Sequence, residues 1–229
     1  MTTAAQAPLD IVVLVSGRGS NLRAIAARAD AGELPVRIAA VISDRAAAGA
    51  LEWARSRGIA THALDPAAFA DRASYGRALG DLVAQHAPGL VVLAGFMRIL
   101  ADEFVLRFAG RLLNIHPSLL PKYPGLHTHR RALAAGDTEH GASVHFVTPE
   151  LDGGPVVIQA KVPVLPGDDE DSLAARVLAQ EHVIYPQCVG WFAAGRLACR
   201  DDAVWLDGRP LTTPVLRDAT PPATTQDDE

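Results

Sequence analysis

The stretch IVVLVSGRGSNL, residues 11–22, decides the fold, because a continuous apolar run ends in a glycine-containing turn that leads into a helical pattern. Three further apolar runs follow, VRIAAVI (36–42), LVVLAG (90–95) and RLLNI (111–115), with helically spaced segments between them. Continuous apolar runs are typical of strands buried on both faces, and the intervening helices indicate crossover connections. We therefore predict an α/β fold with a doubly wound, mostly parallel sheet.

The second half of the chain has a different pattern. GASVHFV (141–147) and PVVIQAKVPV (155–164), joined by a turn-rich segment, indicate a β-hairpin added to the sheet. Residues 168–186 predict a long helix with an acidic first turn, followed by two short apolar pieces. We expect a single domain over residues 10–211, with disordered tails at 1–9 and 212–229, the second being rich in Thr, Pro and acidic residues.

Composition excludes several classes of function. The 229 residues carry a formal net charge of −5, which gives no basic surface for a nucleic-acid backbone. No apolar stretch approaches the ~20 residues that cross a bilayer, and the N-terminus lacks the features of a signal peptide. Two cysteines, Cys188 and Cys199, are too few and too far apart for a Cys-x-x-Cys site. We expect a soluble, cytoplasmic protein that binds neither nucleic acid nor membrane.

The turn Ser16–Asn21 joins the first strand to the first helix. Its glycines allow a tight turn, and a helix start presents free N–H groups to an anion, so the segment suits a phosphate. It is only half of a dinucleotide-binding motif, because Leu22 stands where the third glycine would be. The residues alone leave a phosphate site and a plain capped turn about equally open.

Two polar side chains, Asn114 and His116, share one face at the carboxyl end of the fourth apolar run. Ligands bind beyond the carboxyl ends of parallel strands, and an amide beside an imidazole suits oxyanion stabilisation or proton transfer. The alternative is a hydrogen-bonded pair that ends the strand before Pro117. Asp152 alone is typical of turn chemistry, but near His116 its carboxylate would favour a charged imidazole.

Four histidines lie close together in the sequence, and one acid stands within an apolar pattern. His127, His129, His140 and His145 lack the spacing of helical zinc ligands, so we expect no metal site, and His145 fits a strand histidine with a hydrogen-bond partner. Glu181 interrupts an apolar helical stripe, which indicates a buried partner or a polar ligand.

Four motifs carry a resemblance to a known family: SGRGSNL (16–22), LAGFMRIL (93–100), LLNIHPSLLPKYPGLHTHRRAL (112–133) and GASVHFVTPELDGGPVVIQ (141–159). With these motifs the chain, over roughly residues 10–207, resembles the phosphoribosylglycinamide formyltransferases, which formylate glycinamide ribonucleotide in purine biosynthesis. The resemblance implies a formyltransferase variant of the Rossmann fold and a single catalytic domain.

The resemblance also implies roles for individual residues. Asn114, His116 and Asp152 match the catalytic trio of the family. The residues that match the ribonucleotide site are Gly19, Ser20, Asn21 and Glu181. The residues that match the folate site are Arg72, Met97, Arg98, Ile99, Leu100, Asn114, Thr148, Pro149, Glu150, Leu151 and Asp152. Arg18 and Pro149 depart from the commoner residues of their motifs, and we expect at most a change in affinity.

The implied reaction is transfer of the formyl group of 10-formyltetrahydrofolate, as cosubstrate, to the ribonucleotide amine, with small molecules as the only partners. Three alternatives stay open at this point. Hydrolases of the same folate usually carry an additional N-terminal regulatory domain, and enzymes that formylate initiator tRNA add a basic C-terminal domain. Neither extension is visible here. The third alternative is a non-catalytic folate- or nucleotide-binding module. The oligomeric state, monomer or homodimer, is left undecided.

Overall fold

The computed structural model describes residues 7–218. These residues form eleven strands and six α-helices, with one turn of 3₁₀-helix at Pro66–Ala68. The strands are β1 (Leu9–Val15), β2 (Val36–Ser43), β3 (Ala60–Ala63), β4 (Leu90–Leu93), β5 (Leu112–His116), β6 (Glu139–Phe146), β7 (Val156–Pro163), β8 (Leu197–Arg200), β9 (Ala203–Leu206), β10 (Arg209–Pro210) and β11 (Val215–Asp218). The helices are α1 (Ser20–Asp30), α2 (Gly49–Ser56), α3 (Arg72–Ala84), α4 (Asp102–Arg107), α5 (Thr128–Ala134) and α6 (Glu170–Ala193).

Eight strands form one sheet in the order β11-β7-β6-β5-β4-β1-β2-β3. Every neighbouring pair is parallel except the two pairs made by β6, which runs antiparallel to β5 and β7. The predicted mostly parallel α/β sheet is confirmed, and so is the hairpin of β6 and β7. The parallel strands bring the carboxyl ends of β1, β4 and β5 to one edge, where the connecting loops meet.

Alternation along β1 divides the core between the two faces of the sheet. Ile11, Val13 and Val15 pack in a cluster with α1 and α6, whereas Val12 and Leu14 pack with α3 and α4 on the opposite face. Helices thus cover both faces, which explains why the strands are continuously apolar. The buried Tyr185 of α6 also donates its hydroxyl to the backbone oxygen of Leu93, at 2.9 Å, and ties the helix to the sheet.

Several boundaries differ from the sequence-based expectation. Helix α6 continues past Pro186 to Ala193, because its last turns bury Cys188 and Val189 against the core. The short pieces after it form an antiparallel sheet of three strands, β10-β9-β8. Across residues 7–218, no helix has both the length and the apolarity needed to traverse a bilayer.

The expected tails are wrong where the structure describes them. Leu9 already belongs to β1 and pairs with Val36, and residues 215–218 form β11 along the outer edge of β7. The physical reason for the second correction is that β7 would otherwise expose a row of unpaired backbone groups. The rest of the expected tails, residues 1–6 and 219–229, lies outside the described residues.

Candidate active site

Two adjoining cavities lie at the carboxyl edge of the sheet, beyond β4 and β5. The larger has a volume of about 460 Å³ and is lined by the 95–99 segment, the end of β5 and the start of α5. The smaller, of about 100 Å³, lies against the 147–152 loop. Asn114 and Asp152 line both cavities and His116 lines the larger one, so the trio named from the sequence lies around the point where the cavities meet.

His116 is held between two oxygen acceptors. Its Nε2 is 2.9 Å from the backbone oxygen of Tyr123, and its Nδ1 is 3.5 Å from Oδ2 of Asp152. A neutral imidazole carries one N–H and can donate to only one of these oxygens, whereas the charged ring donates to both. The side chains of His116 and Asp152 are both nearly buried, at 7% and 9% exposure.

Asp152 owes its position to its backbone and to one further hydrogen bond. The residue has a φ of 52°, in the left-handed region, which turns its side chain towards β5. The backbone N–H of Gly125 donates to its Oδ2 at 2.7 Å. This bond connects the loop after β6 to the loop after β5, and it joins residues that are 27 positions apart in the sequence.

Asn114 is oriented by a histidine to which the sequence assigned only a structural role. The Asn114 Nδ2 is 3.1 Å from Nε2 of His145, which lies directly opposite it in the β5–β6 register. The Nδ1 of His145 is 2.9 Å from the backbone oxygen of Phe146 and donates to it, so Nε2 is left as the acceptor. Burial lowers the pKa of His145, which keeps this ring neutral. The expected strand histidine thus has its partner, and the second N–H of Asn114 has no partner among residues 7–218.

The turn Ser16–Asn21 and the buried Glu181 of α6 come together on the other side of β4 from the trio. Gly19 has a φ of 75°, and a Cβ placed there would lie 2.7 Å from the Cβ of Ala50. Asn21 donates to Glu181 across 160 residues, with 2.7 Å between Nδ2 and Oε2. Asn21 is therefore the partner that Glu181 needed, and burial raises the pKa of this carboxyl.

The residues matched to the folate site separate into three groups. Arg98 and Ile99 line both cavities, and Met97 lines the larger one. The apolar residues Met97 and Ile99 are each 60% exposed. The others found along the smaller cavity are Leu100, Thr148, Pro149, Glu150 and Leu151. Arg72 is the first residue of α3 and lines neither cavity.

Sequence reasoning missed three contributors to the site. Thr128 and His129, at the start of α5, line the larger cavity, and Tyr123 supplies the oxygen that holds His116. His129 also lies 3.1 Å from the buried His140, nitrogen to nitrogen. The only available signal was the proximity of these residues to the strand end in sequence, since none of them interrupts an apolar pattern.

A doubly wound sheet with an amide, an imidazole and a carboxylate around a cavity at its carboxyl edge is typical of an enzyme that binds and converts small molecules at that edge. Comparison with known proteins identifies the particular family. The Formyl transferase family matches residues 9–189, and the chain belongs to it.

The chain is similar in sequence to individual members of the family over most of their length. The phosphoribosylglycinamide formyltransferase of Escherichia coli is 59% identical over 203 residues, which cover 89% of this chain and 96% of the relative. That of Haemophilus influenzae is 47% identical, over 88% of this chain and 95% of the relative. The solved structure of the Coxiella burnetii enzyme of the same name superposes with a TM-score of 0.88 at 49% identity, over 92% and 99% of the two chains.

Proposed function

We propose that the protein transfers the formyl group of 10-formyltetrahydrofolate to the amine of glycinamide ribonucleotide, a step of de novo purine biosynthesis. The observation that carries this proposal is the meeting of Asn114, His116 and Asp152 between two cavities, in a chain 59% identical to an enzyme named for this activity. The catalyst is one domain spanning the described residues, a variant of the Rossmann architecture that works in the cytoplasm.

The chemistry is an addition to the formyl carbon followed by loss of the folate nitrogen. As the ribonucleotide amine attacks, its electron pair forms the new C–N bond and negative charge develops on the formyl oxygen. We assign the free N–H of Asn114 as the donor to that oxygen, and the positive charge of His116 in its imidazolium form as the group that stabilises it electrostatically, since both ring nitrogens already face protein oxygens. Asp152 stabilises the positive ring as the negative charge appears, so the three side chains act together.

A proton must move from the attacking amine to the leaving folate nitrogen. Among the described residues, Asp152 is the only carboxylate that lines both cavities, since Glu150 and Glu170 line one each. It lies 3.5 Å from His116, so it is the group we assign to relaying this proton, directly or through water. The collapse of the adduct then releases tetrahydrofolate and the formylated ribonucleotide. The mechanism needs no covalent enzyme intermediate, and holding both substrates in one cleft supplies much of the acceleration.

The ribonucleotide site is proposed at the start of α1. The left-handed Gly19 leaves the first N–H groups of this 11-residue helix without a side-chain cap, which suits the phosphate. Asn21 and Glu181 form a buried pair beside it, and the Oδ1 of Asn21 has no partner among the described residues. We assign Gly19, Ser20, Asn21 and Glu181 to this substrate.

The folate site is proposed along the two cavities. The smaller cavity is lined in part by apolar side chains, including Leu93, Leu100 and Val105, which suit a flat pteridine ring, while the larger leads outward past Met97 and Ile99. Arg72 lines neither cavity, so its assignment to the folate site rests on the resemblance alone. We assign the formyl carbon to the junction of the two cavities, beside Asn114 and His116.

Hydrolysis of the formyl-folate is the second candidate, since a formyltetrahydrofolate deformylase from Pseudomonas putida superposes with a TM-score of 0.78 at 26% identity, over 89% of this chain and 72% of that one. The deciding experiment follows the loss of formyl-folate by the purified protein with and without glycinamide ribonucleotide. We expect turnover only with the ribonucleotide. Equal turnover without it would support the hydrolase, and no turnover in either case would contradict both functions.

A further inference from the structure

A fully buried carboxylate outside the proposed trio supports one side chain of the folate site. Asp44 directly follows β2, and its Oδ2 accepts a hydrogen bond of 2.8 Å from Nε of Arg98. The side chain of Asp44 has 0% exposure, whereas that of Arg98 has 46%. The pair therefore joins the interior at the end of β2 to the wall of the ligand cavities.

Among the described residues, Arg98 is the cation nearest to this buried carboxylate. The other carboxylate oxygen of Asp44, Oδ1, accepts no hydrogen bond within residues 7–218, and the nearest further cation, Nε of Arg45, is 3.9 Å from Oδ2. A buried carboxylate that loses its cation carries a large desolvation cost. Arg98 is thus held firmly at its Nε, although nearly half of its side chain is exposed.

The backbone around Arg98 does not fix that side chain. Residues 94–101 have no helix or strand. Backbone hydrogen bonds of Ala94, Gly95 and Met97 attach the segment to β1 and to the turn after it, and none of them involves the side chain of Arg98. Asp44 supplies a separate attachment at the side chain. Without it, the long arginine side chain would be free to sample many rotamers at the cavity mouth.

The two terminal amino groups of Arg98 remain available for a ligand. Neither Nη1 nor Nη2 donates to another residue in the described part of the chain, and Arg98 lines both cavities. A planar guanidinium held at one nitrogen offers its other N–H groups in a fixed direction, which suits a carboxylate. The proposed folate donor carries such carboxylates on its glutamate tail.

We propose that Asp44 is a positioning residue that holds Arg98 in place for the carboxylates of the folate donor's glutamate tail. The inference rests on the proposed function. It assigns part of the preference for formyl donors that carry a glutamate tail to a residue that lines neither cavity. Asp44 acts by geometry, so an amide oxygen that accepts the same hydrogen bond should replace it, and a methyl group should not.

The test compares two formyl donors, 10-formyltetrahydrofolate and its truncated pteroate form without glutamate, in steady-state assays with saturating ribonucleotide. Releasing one long side chain costs about threefold to tenfold in affinity. We expect Asp44→Ala to raise KM for the complete donor by that factor, with kcat within about twofold and KM for the truncated donor unchanged. Asp44→Asn, which keeps an acceptor, should restore most of the affinity.

Arg45→Ala is the matched control, because it removes the other nearby cation without touching the Nε bond. We expect it to leave both values of KM unchanged. The proposal is overturned if Asp44→Ala affects both donors equally, lowers kcat instead, or changes nothing. It is also overturned if Asp44→Asn is as impaired as Asp44→Ala, since the effect would then be one of charge.

Thermal melting establishes that each variant is folded. If Asp44→Ala is unfolded, Asp44→Ser serves in its place, and if neither folds, Asp44 is a folding residue and the proposal is wrong. Failure of the proposed function is distinguishable, because the unaltered protein would then transfer no formyl group from either donor.

Discussion

Replacing Asp152 by asparagine removes one negative charge from the site and changes little else. Asparagine tolerates the left-handed φ of 52° at this position, and its amide oxygen can still accept the hydrogen bond from Gly125. The substitution therefore separates the charge of the carboxylate from its role in shaping the loop. The backbone and the two cavities should be preserved.

The expected loss follows from the distance between the two groups. Unit charges 3.5 Å apart, the separation of His116 Nδ1 and Asp152 Oδ2, interact by about 5 kcal/mol at an effective dielectric constant of about 20. The cavities admit solvent, so we take roughly half of this value for the transition state, about 2.5 kcal/mol or nearly two orders of magnitude in rate. We expect kcat to fall about 20- to 200-fold while KM for both substrates changes little.

The assay is steady-state formyl transfer, with melting temperature as the check on folding. Asp10→Asn is the matched control, because Asp10 also pairs with a cation, Arg37, but lies at the opposite end of β1. The control should keep full turnover. If Asp152→Asn retains turnover within about fivefold of the unaltered protein, the carboxylate does not stabilise a charged His116 in the transition state, and the reasoning fails.

Three further predictions concern the Asn114 amide, the glycine turn and a buried histidine. Asn114→Ala should lower kcat about 100- to 1,000-fold with KM nearly unchanged, and a drop confined to KM would remove Asn114 from oxyanion stabilisation. Gly19→Ala should cost about 1–3 kcal/mol in urea unfolding and raise KM for the ribonucleotide, because the new Cβ meets Ala50; normal stability would contradict this. Burial, reinforced by His129, lowers the pKa of His140 from 6.5 to about 4, so the unfolded chain binds the proton first and stability falls as pH drops from 6.5 towards 4. Between about pH 7 and 5, the free energy of unfolding of His140→Gln should therefore fall by about 2 kcal/mol less than that of the unaltered protein. An equal fall in the two proteins would count against a neutral His140.

The parts of the fold that could be predicted are those with a strong one-dimensional pattern. The strands later found as β1, β2, β4 and β5 are continuous apolar runs, and each is buried on both faces. Strand β3, with the sequence ATHA, is short, half-exposed and at the sheet edge, so no periodicity marks it. Strand β11 lies in a segment whose composition indicates disorder, and it is ordered by the unpaired edge of β7.

The candidate site divides in the same way. Asn114 and His116 could be found because polar side chains end an apolar strand, and the β5 pattern gives their common face. The contact of Asn114 with His145 depends on the register of β5 against β6, which the sequence does not encode locally. The pairing of Asn21 with Glu181, across 160 residues, depends on how α6 packs beside α1.

Following the formyl carbon itself tests the central claim most directly. The purified protein is given glycinamide ribonucleotide and 10-formyltetrahydrofolate carrying a ¹³C-labelled formyl group, and the products are separated by mass. We expect the label on the ribonucleotide nitrogen in amounts equal to the tetrahydrofolate formed. Label recovered as free formate, or retained on the folate, would contradict transfer between the two small molecules at the Asn114, His116 and Asp152 site.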